Sequence, residues 1–590
     1  MPSPSSRRAR SSFFWSRPTL SALLAFGVLG CDGRYMLGRA SDAAAGTSRG
    51  GQGDAGQSPG GESSSGGSGS AGSLGGAAGA SSHESLGGAG AAGDGGSFND
   101  AGAGGEPYVD PDPLGRVRWL AVSTFTSSAS SQTLLNLVDL RQPTWSGVTV
   151  ESTSVIAPLP SPDGRWIIYA SYRKSPLQGD TYDYYAVNIA GKTPSARQLF
   201  LSEPSYYSLC SWAPDGSRLA CSKSRPDLDS DARQLVLFSA TGSTFGPEVD
   251  VGPLAGAPVF VGASALVYSN LEGDLMRLDW GVDAPSEPTA LGVRGDQVLV
   301  SSDGQRALAQ TSDPEDDTLF DPRTGAGERL DVPDNFVLTA SFGAGISSVD
   351  DPDTRKRTYS YYAVNGVHLS QVGQGEVTMS SVVPFFPAQM AERSVVVVDG
   401  ERLVFTYVPE SGEAAPQTVP GDYAVVQDFL LDPTGRYLYF SAAEVEGAVP
   451  DKSTTKTWMS RVGPAGVELP QLLTEGFVVA TAAFSGDGKR LLLAGNSYYD
   501  VDPQPTPIHL FSLSDDEAPR DRLLPLPLSW LNVMFSRDSS YLAAFGGSRP
   551  DNARELYALD LFTPDASAQL LYRCTSNPAP LPGCPSSVVF

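Results

Sequence analysis

The chain has 590 residues, enough for three or four ordinary domains, but its composition argues against that division. Of its 64 glycines, 23 fall in the 66 residues from 41 to 106. With 41 Lys plus Arg against 66 Asp plus Glu, the formal charge is −25, which excludes the basic footprint of a nucleic-acid-binding protein. Three histidines and five cysteines leave little material for a His-based or metal site.

Residues 1–30 read as an export signal. Arg7, Arg8, Arg10 and Arg17 form a basic start without an acid. Leu20 to Leu29 is an apolar run too short for the roughly 20 residues of a spanning helix. The run closes on Gly30-Cys31, which resembles the lipobox of bacterial lipoproteins; the resemblance implies lipidation of Cys31. Leu29 departs from that pattern, which prefers a smaller residue there, and an ordinary secretory signal is the competing reading. Removal of four arginines takes the charge to 37 − 66 = −29. Export predicts oxidised cysteines, and Cys210/Cys221 and Cys574/Cys584 lie in close pairs. Four cysteines allow three connectivities, of which the two local loops are expected. The spacing is not that of a zinc site, and no histidine neighbours it.

Residues 31–106 form a Gly/Ser/Ala-rich tether, expected to be disordered because it has almost no large apolar side chain to offset its ordering entropy. Its 66 residues from 41 to 106, as a flexible coil, span roughly 40–50 Å. Such a spacer holds a folded domain clear of a bilayer.

From residue 107 to 590 the chain is β-rich and repeats one phrase: an apolar strand, a Ser/Asp-Pro/Gly turn, a second apolar strand. Copies stand at 161–171, 213–224, 301–312, 432–442, 485–495 and 536–546, with degenerate ones at 398–408 and 261–270. Pro presets φ, Asp caps the turn and Gly takes the left-handed position. A third strand follows, as at 181–190, 233–240, 274–280, 507–514 and 555–562. Units of three or four strands repeating about every 40–55 residues predict an all-β fold, a single β-propeller of about eight blades, with seven as the alternative. The phrase resembles the TolB-like or WD40-like β-propeller repeat, and the resemblance covers most of residues 107–590. Residues 116–125 and 134–140 read as the second and third strands of a blade, to be completed by a C-terminal strand near 569–574. If Asp215-Gly216 is a two-residue turn, cross-strand partners sum to 431, and Cys210 plus Cys221 meets that sum.

The Asp-Gly pairs are expected to be structural. A partner-binding face is expected on the loops between second and third strands, which carry Tyr172, Asp180, Tyr182, Asp227, Asp229, Asp231, Asp313, Asp316, Asp317, Tyr498, Tyr499, Asp500 and Asp502. Asp227, Asp229 and Asp231 alternate as in a calcium loop, but Ala232 and Phe238 stand where an EF-hand has Gly and Glu. A solvated acidic loop is the plainer reading, with calcium as the one candidate ligand. No G-x-S-x-G, P-loop or H-E-x-x-H occurs, so no catalytic residue is assigned. His368 and His509 fall in strand contexts, and Arg294-Gly295-Asp296 is a common tripeptide.

The expected function is a lipid-anchored module of the bacterial cell envelope, probing no nucleic acid and touching membrane only through its lipid. It would be monomeric and bind or scaffold a protein or peptide without catalysis. Two alternatives compete: a propeller enzyme acting on envelope or extracellular glycans as lyase or hydrolase, and a structural or sensory protein binding calcium or cell-wall material.

Overall fold

The computed structural model describes residues 119–589 apart from the connections 126–132, 141–147, 152–153, 176–178, 190–194, 203–209, 225–232, 312–315, 379–387, 444–454, 496–506, 549–552, 564–566, 575–584 and a few shorter ones. The export signal, Cys31 and the tether lie outside the described residues. All the regular elements described are β-strands.

Hydrogen bonding sorts the strands into ten antiparallel sheets, each built on four strands, consecutive in the chain in all but the first. Blade 2, for instance, runs Ser154–Pro160, Trp166–Ser175, Gly179–Asn188 and Ser195–Ser202. Ten apolar clusters lie between consecutive sheets. Trp166, Ile168 and Tyr184 of blade 2 meet Leu219, Val236 and Phe238 of blade 3, and the series continues around to blades 9 and 10. Leu135 and Leu137 of blade 1 pack on Ile167 and Tyr169 of blade 2. The last cluster joins Tyr541 and Leu556 of blade 10 to Leu120 and Val122 of blade 1. Each sheet is therefore buried on both faces, which explains strands that run apolar instead of alternating. The result is a closed ten-bladed β-propeller.

The count corrects the expected eight. The interval from Asp303 to Asp432 contains two blades, whose first strands are Val337–Leu338 and Gln389–Ala391. Their turns lack the glycine: Phe342 (φ 52°) and Glu392 (φ 49°) take the left-handed position instead, as does Ser539 (φ 57°) in blade 10. The degenerate copy at 398–408 is another feature, the tight turn between second and third strands of blade 7, with Asp399 paired to Arg402. The copy at 261–270 is the first hairpin of blade 4, as expected.

Closure by a C-terminal strand is observed, but with a different strand. Pro585–Val589 pairs with Trp119–Phe125 and becomes the innermost strand of blade 1. Gln569–Cys574 is the outermost strand of blade 10. The three strands at the start lacked an inner partner, and only the segment after Cys574 can reach that place without leaving blade 10 incomplete.

Cys210 and Cys221 face each other in register and form a disulfide, with Cα atoms 4.1 Å apart. Cys574 is also disulfide-bonded, while Cys584 lies outside the described residues. A Cys210→Ser, Cys221→Ser double variant is expected to lose about 2–3 kcal/mol in urea unfolding, the chain-entropy value for a short loop. Unchanged midpoints would show that the hairpin holds without the bond.

Candidate functional site

The two ends of each blade differ in kind. At one end sit the turns between first and second strands, and the repeated Asp is consumed there. Ser161 Oγ donates to Asp163 Oδ1 (2.5 Å) and accepts from the amides of Arg165 and Trp166 (3.1 and 2.9 Å). The same staple recurs at Ser301/Asp303, Ser485/Asp487 and Ser536/Asp538. Burial pushes the Asp303 carboxyl up, but bonds from Ser301 and the Gln305 amide and the charge of Arg306 outweigh it and hold it below the ordinary value. Arginines following these turns bridge to the next blade. Arg218 donates to Ala263 and Gly281 carbonyls, Arg306 to that of Phe342, and Arg490 to those of Ser539 and Leu561. The Asp-Gly pairs and their arginines are thus joints of the ring.

At the other end lie the connections between second and third strands, together with the blade-to-blade crossings. Three of the expected face residues are not in loops at all. Strands Trp166–Ser175 and Gly179–Asn188 extend past them, pairing Tyr172 with Tyr182 and Lys174 with Asp180. Tyr182 packs on the core between blades 2 and 3. The ladder runs on through residues 172–175 and 179–182, which the sequence reading assigned to a loop, as a continuation of the strand expected at 181–190. Asp316 is exposed and pairs with Arg329 (3.0 Å). Asp317 is buried and accepts from the Thr311 amide (2.8 Å), so it shapes its loop. Asp227, Asp229, Asp231, Asp313, Tyr498, Tyr499, Asp500 and Asp502 lie outside the described residues. Among the described residues no group of three His, Cys, Asp or Glu side chains could hold a metal.

The two strand histidines are paired with acids. His368 Nδ1 lies 2.7 Å from Glu328 Oε2 across the rims of blades 5 and 6, and His509 Nδ1 lies 2.8 Å from Asp521 Oδ2 within blade 9. Arg294-Gly295-Asp296 forms the crossing from blade 4 to blade 5. The Gly295 amide donates to Gly273, the Asp296 amide to Gln310, and Arg294 pairs with Asp274 (3.3 Å). This tripeptide is pinned by neighbouring strands.

Sequence reasoning missed Asp428. It lies in the innermost strand of blade 8, Val425–Leu431, where a bulge between Val426 and Asp428 interrupts the register. Burial raises its carboxyl above the ordinary aspartate value, only partly opposed by the Phe429 amide. Ser441 is its cross-strand partner, and Tyr439 stands two residues along the same face. Burial, and then the charge of Asp428, push the Tyr439 hydroxyl well above its usual value. The available signal was one acid inside a largely apolar strand, VVQDFLL.

A raised carboxyl favours the folded state when protonated. Its contribution is fully present below the ordinary aspartate value of about 3.9 and is lost as pH rises through the folded value. Asp428→Asn is therefore expected to gain stability relative to wild type as pH goes from 4 to 7, read from urea midpoints. A difference independent of pH would contradict a buried ionising carboxyl.

No protein-family model matches the sequence, and no curated protein matches it. Solved structures similar in fold include a eukaryotic initiation factor (12% identity, 80% of this chain and 98% of that one, TM-score 0.43). TolB from Acinetobacter baumannii is 14% identical over 43% of this chain and 62% of its own, with TM-score 0.24. The β-propeller domain of Cps50 (Swd1) from Myceliophteria thermophila is 13% identical over 55% and 99%, with TM-score 0.26. TolB and WD40 β-propellers are thus among the structural neighbours, and the ring itself is established by this chain's own strand pairing.

Proposed function

We propose that this protein is a non-catalytic binding or scaffolding ring, displayed from the bacterial cell envelope on a lipidated tether. The observation that carries the reading is the asymmetry of the ring. One end is closed by short turns whose polar groups bond within and between blades. The other end carries the long connections between second and third strands, at 225–232, 444–454 and 496–507. Loops held on a rigid scaffold are where recognition residues gather. The fold suits protein binding, and a propeller buries its strands so completely that loop sequence can vary at little cost to stability.

In this reading Cys31 carries the lipid, residues 31–106 are the spacer, and the ring works as a monomer on an envelope protein or peptide. Calcium at Asp227, Asp229 and Asp231 remains part of the proposal only as a loop-ordering ion. The test is affinity capture from envelope extracts with the full chain, compared with a variant whose residues 496–506 are replaced by a Gly/Ser linker. A partner lost in that variant and retained by Asp487→Asn, on the opposite end, supports the reading. Equal capture by both variants, or turnover of an envelope glycan without any specific partner, overturns it. Loss of radiolabelled palmitate in Cys31→Ser tests the anchor.

A further inference from the structure

The first strands of neighbouring blades approach one another, as Val259–Phe260 does Gln297–Val300 and Gln389–Ala391 does Val425–Leu431, so they form the inner ring. Their residues are almost wholly apolar or neutral. Half-buried Leu159, Val300, Val337, Met390, Leu430 and Val533 are typical. Across all ten inner strands one residue is charged, and it is Asp428. No cationic side chain bonds to it among the described residues, although the seam around it is polar. Thr455 donates to Gln427 Oε1 (3.3 Å), and Thr457 and Ser441 are buried nearby on the same sheet. Behind it the hydroxyl of Tyr439, a fully buried residue, makes no well-formed hydrogen bond among the described residues, only a contact with Ser441. An acceptor without a cation thus stands near a donor that is weakly engaged. The opposite wall, on blade 9, is apolar, with Val479, Ala482, Phe484, Leu491 and Leu493 among its residues.

We propose that the inner ring binds an organic cation, an ammonium or guanidinium group on an apolar stem, through Asp428 at the seam of blades 8 and 9. A carboxylate set in low-dielectric walls focuses its field into the space beside it, because little solvent or counter-charge screens it. A cation drawn there neutralises the charge. Its apolar stem lies along the leucine, valine and methionine side chains, and Tyr439 is the positioning residue that donates to the carboxylate once it is ionised. A neutral or anionic group gains nothing from this arrangement. The site goes beyond the partner-binding reading, since a free amine or the Lys or Arg side chain of a partner shares the chemistry.

The experiment titrates the full chain at pH 7.5 and low salt with n-butylammonium, n-butylguanidinium and the neutral n-butylurea, following binding by calorimetry. The cations are expected to bind at least tenfold more tightly than the urea, and Asp428→Asn to weaken them at least tenfold. Cation binding should fade as pH falls to 4 and the carboxyl protonates. Tyr439→Phe, which keeps the packing, should weaken the cations several-fold and leave the urea unchanged, so the site can be judged even if Asp428→Asn fails to fold. Equal binding of urea and cations, or no change in either variant, overturns the proposal. A Gly-Lys-Gly amide that binds more tightly than butylammonium assigns the site to a partner's side chain; one no tighter assigns it to a free amine. If envelope capture fails while butylammonium binds, the scaffolding reading falls and this site stands. If capture succeeds and no probe binds, the reverse holds.

Discussion

Deletion of residues 585–590 is expected to open the ring and destabilise it by on the order of 4 kcal/mol or more, at about 1 kcal/mol for each backbone hydrogen bond lost. The segment supplies the inner strand of blade 1, with Val589 opposite Ala121, Val588 opposite Val122 and Ser587 opposite Ser123. Without it, Trp119–Phe125 becomes a bare edge facing the axis, and an unpaired edge invites association with another chain. The loss would spread, because Leu120 and Val122 of that strand lie in the cluster that joins blade 1 to blade 10. Calorimetry should show a lower and broader transition, and light scattering should show association of the truncated chain. A sharp transition at the wild-type temperature would mean that the three remaining strands suffice, and that the closing strand is dispensable.

The second large effect is expected at Asp432, whose side chain is fully buried at the turn of blade 8. Its carboxylate accepts from the amides of Thr434 (3.0 Å), Arg436 (2.6 Å) and Tyr437 (2.6 Å), and also from the Thr434 hydroxyl. In other blades a Ser and an Asp divide this task; here one aspartate does both. Asp432→Ala would leave three amides without their acceptor, that of Tyr437 buried and those of Thr434 and Arg436 half-buried, at about 1–3 kcal/mol each where no relaxation occurs. A total loss of about 4 kcal/mol is expected in urea unfolding. Asp215→Ala is the control: Asp215 is exposed and, among the described residues, accepts from the amide and hydroxyl of Ser217. It should cost about 1 kcal/mol or less, since water replaces the lost bonds. Equal losses at the two positions would show that the turns act as caps of uniform strength regardless of burial.

Much of the architecture was legible because the hairpin phrase states a local conformation. Ser, Asp and Gly at fixed offsets describe a turn that needs nothing outside itself, so six first hairpins and the register of Cys210 with Cys221 could be read directly. Where the phrase lost its glycine, as at Phe342 and Glu392, the backbone kept the same left-handed step and the packing of neighbouring blades held it there. That is why two blades escaped the count. The candidate site was less legible. Tyr182 has the composition of a recognition loop, yet a longer ladder draws it into the core. Asp428 drew no notice among so many acids, and only the ring shows that it stands alone on the inner wall.

The sequence by itself determined an acidic, all-β chain made of repeated hairpins, because composition, turn chemistry and strand preference act over a few residues. The tertiary structure decided the number of blades, the strand that closes them, and which acids are turn caps, ion-pair members or an isolated inner charge. Those outcomes depend on ten sheets each burying both faces against neighbours that are distant in the chain, and on where closure leaves water and where it does not. No short window of residues carries that information.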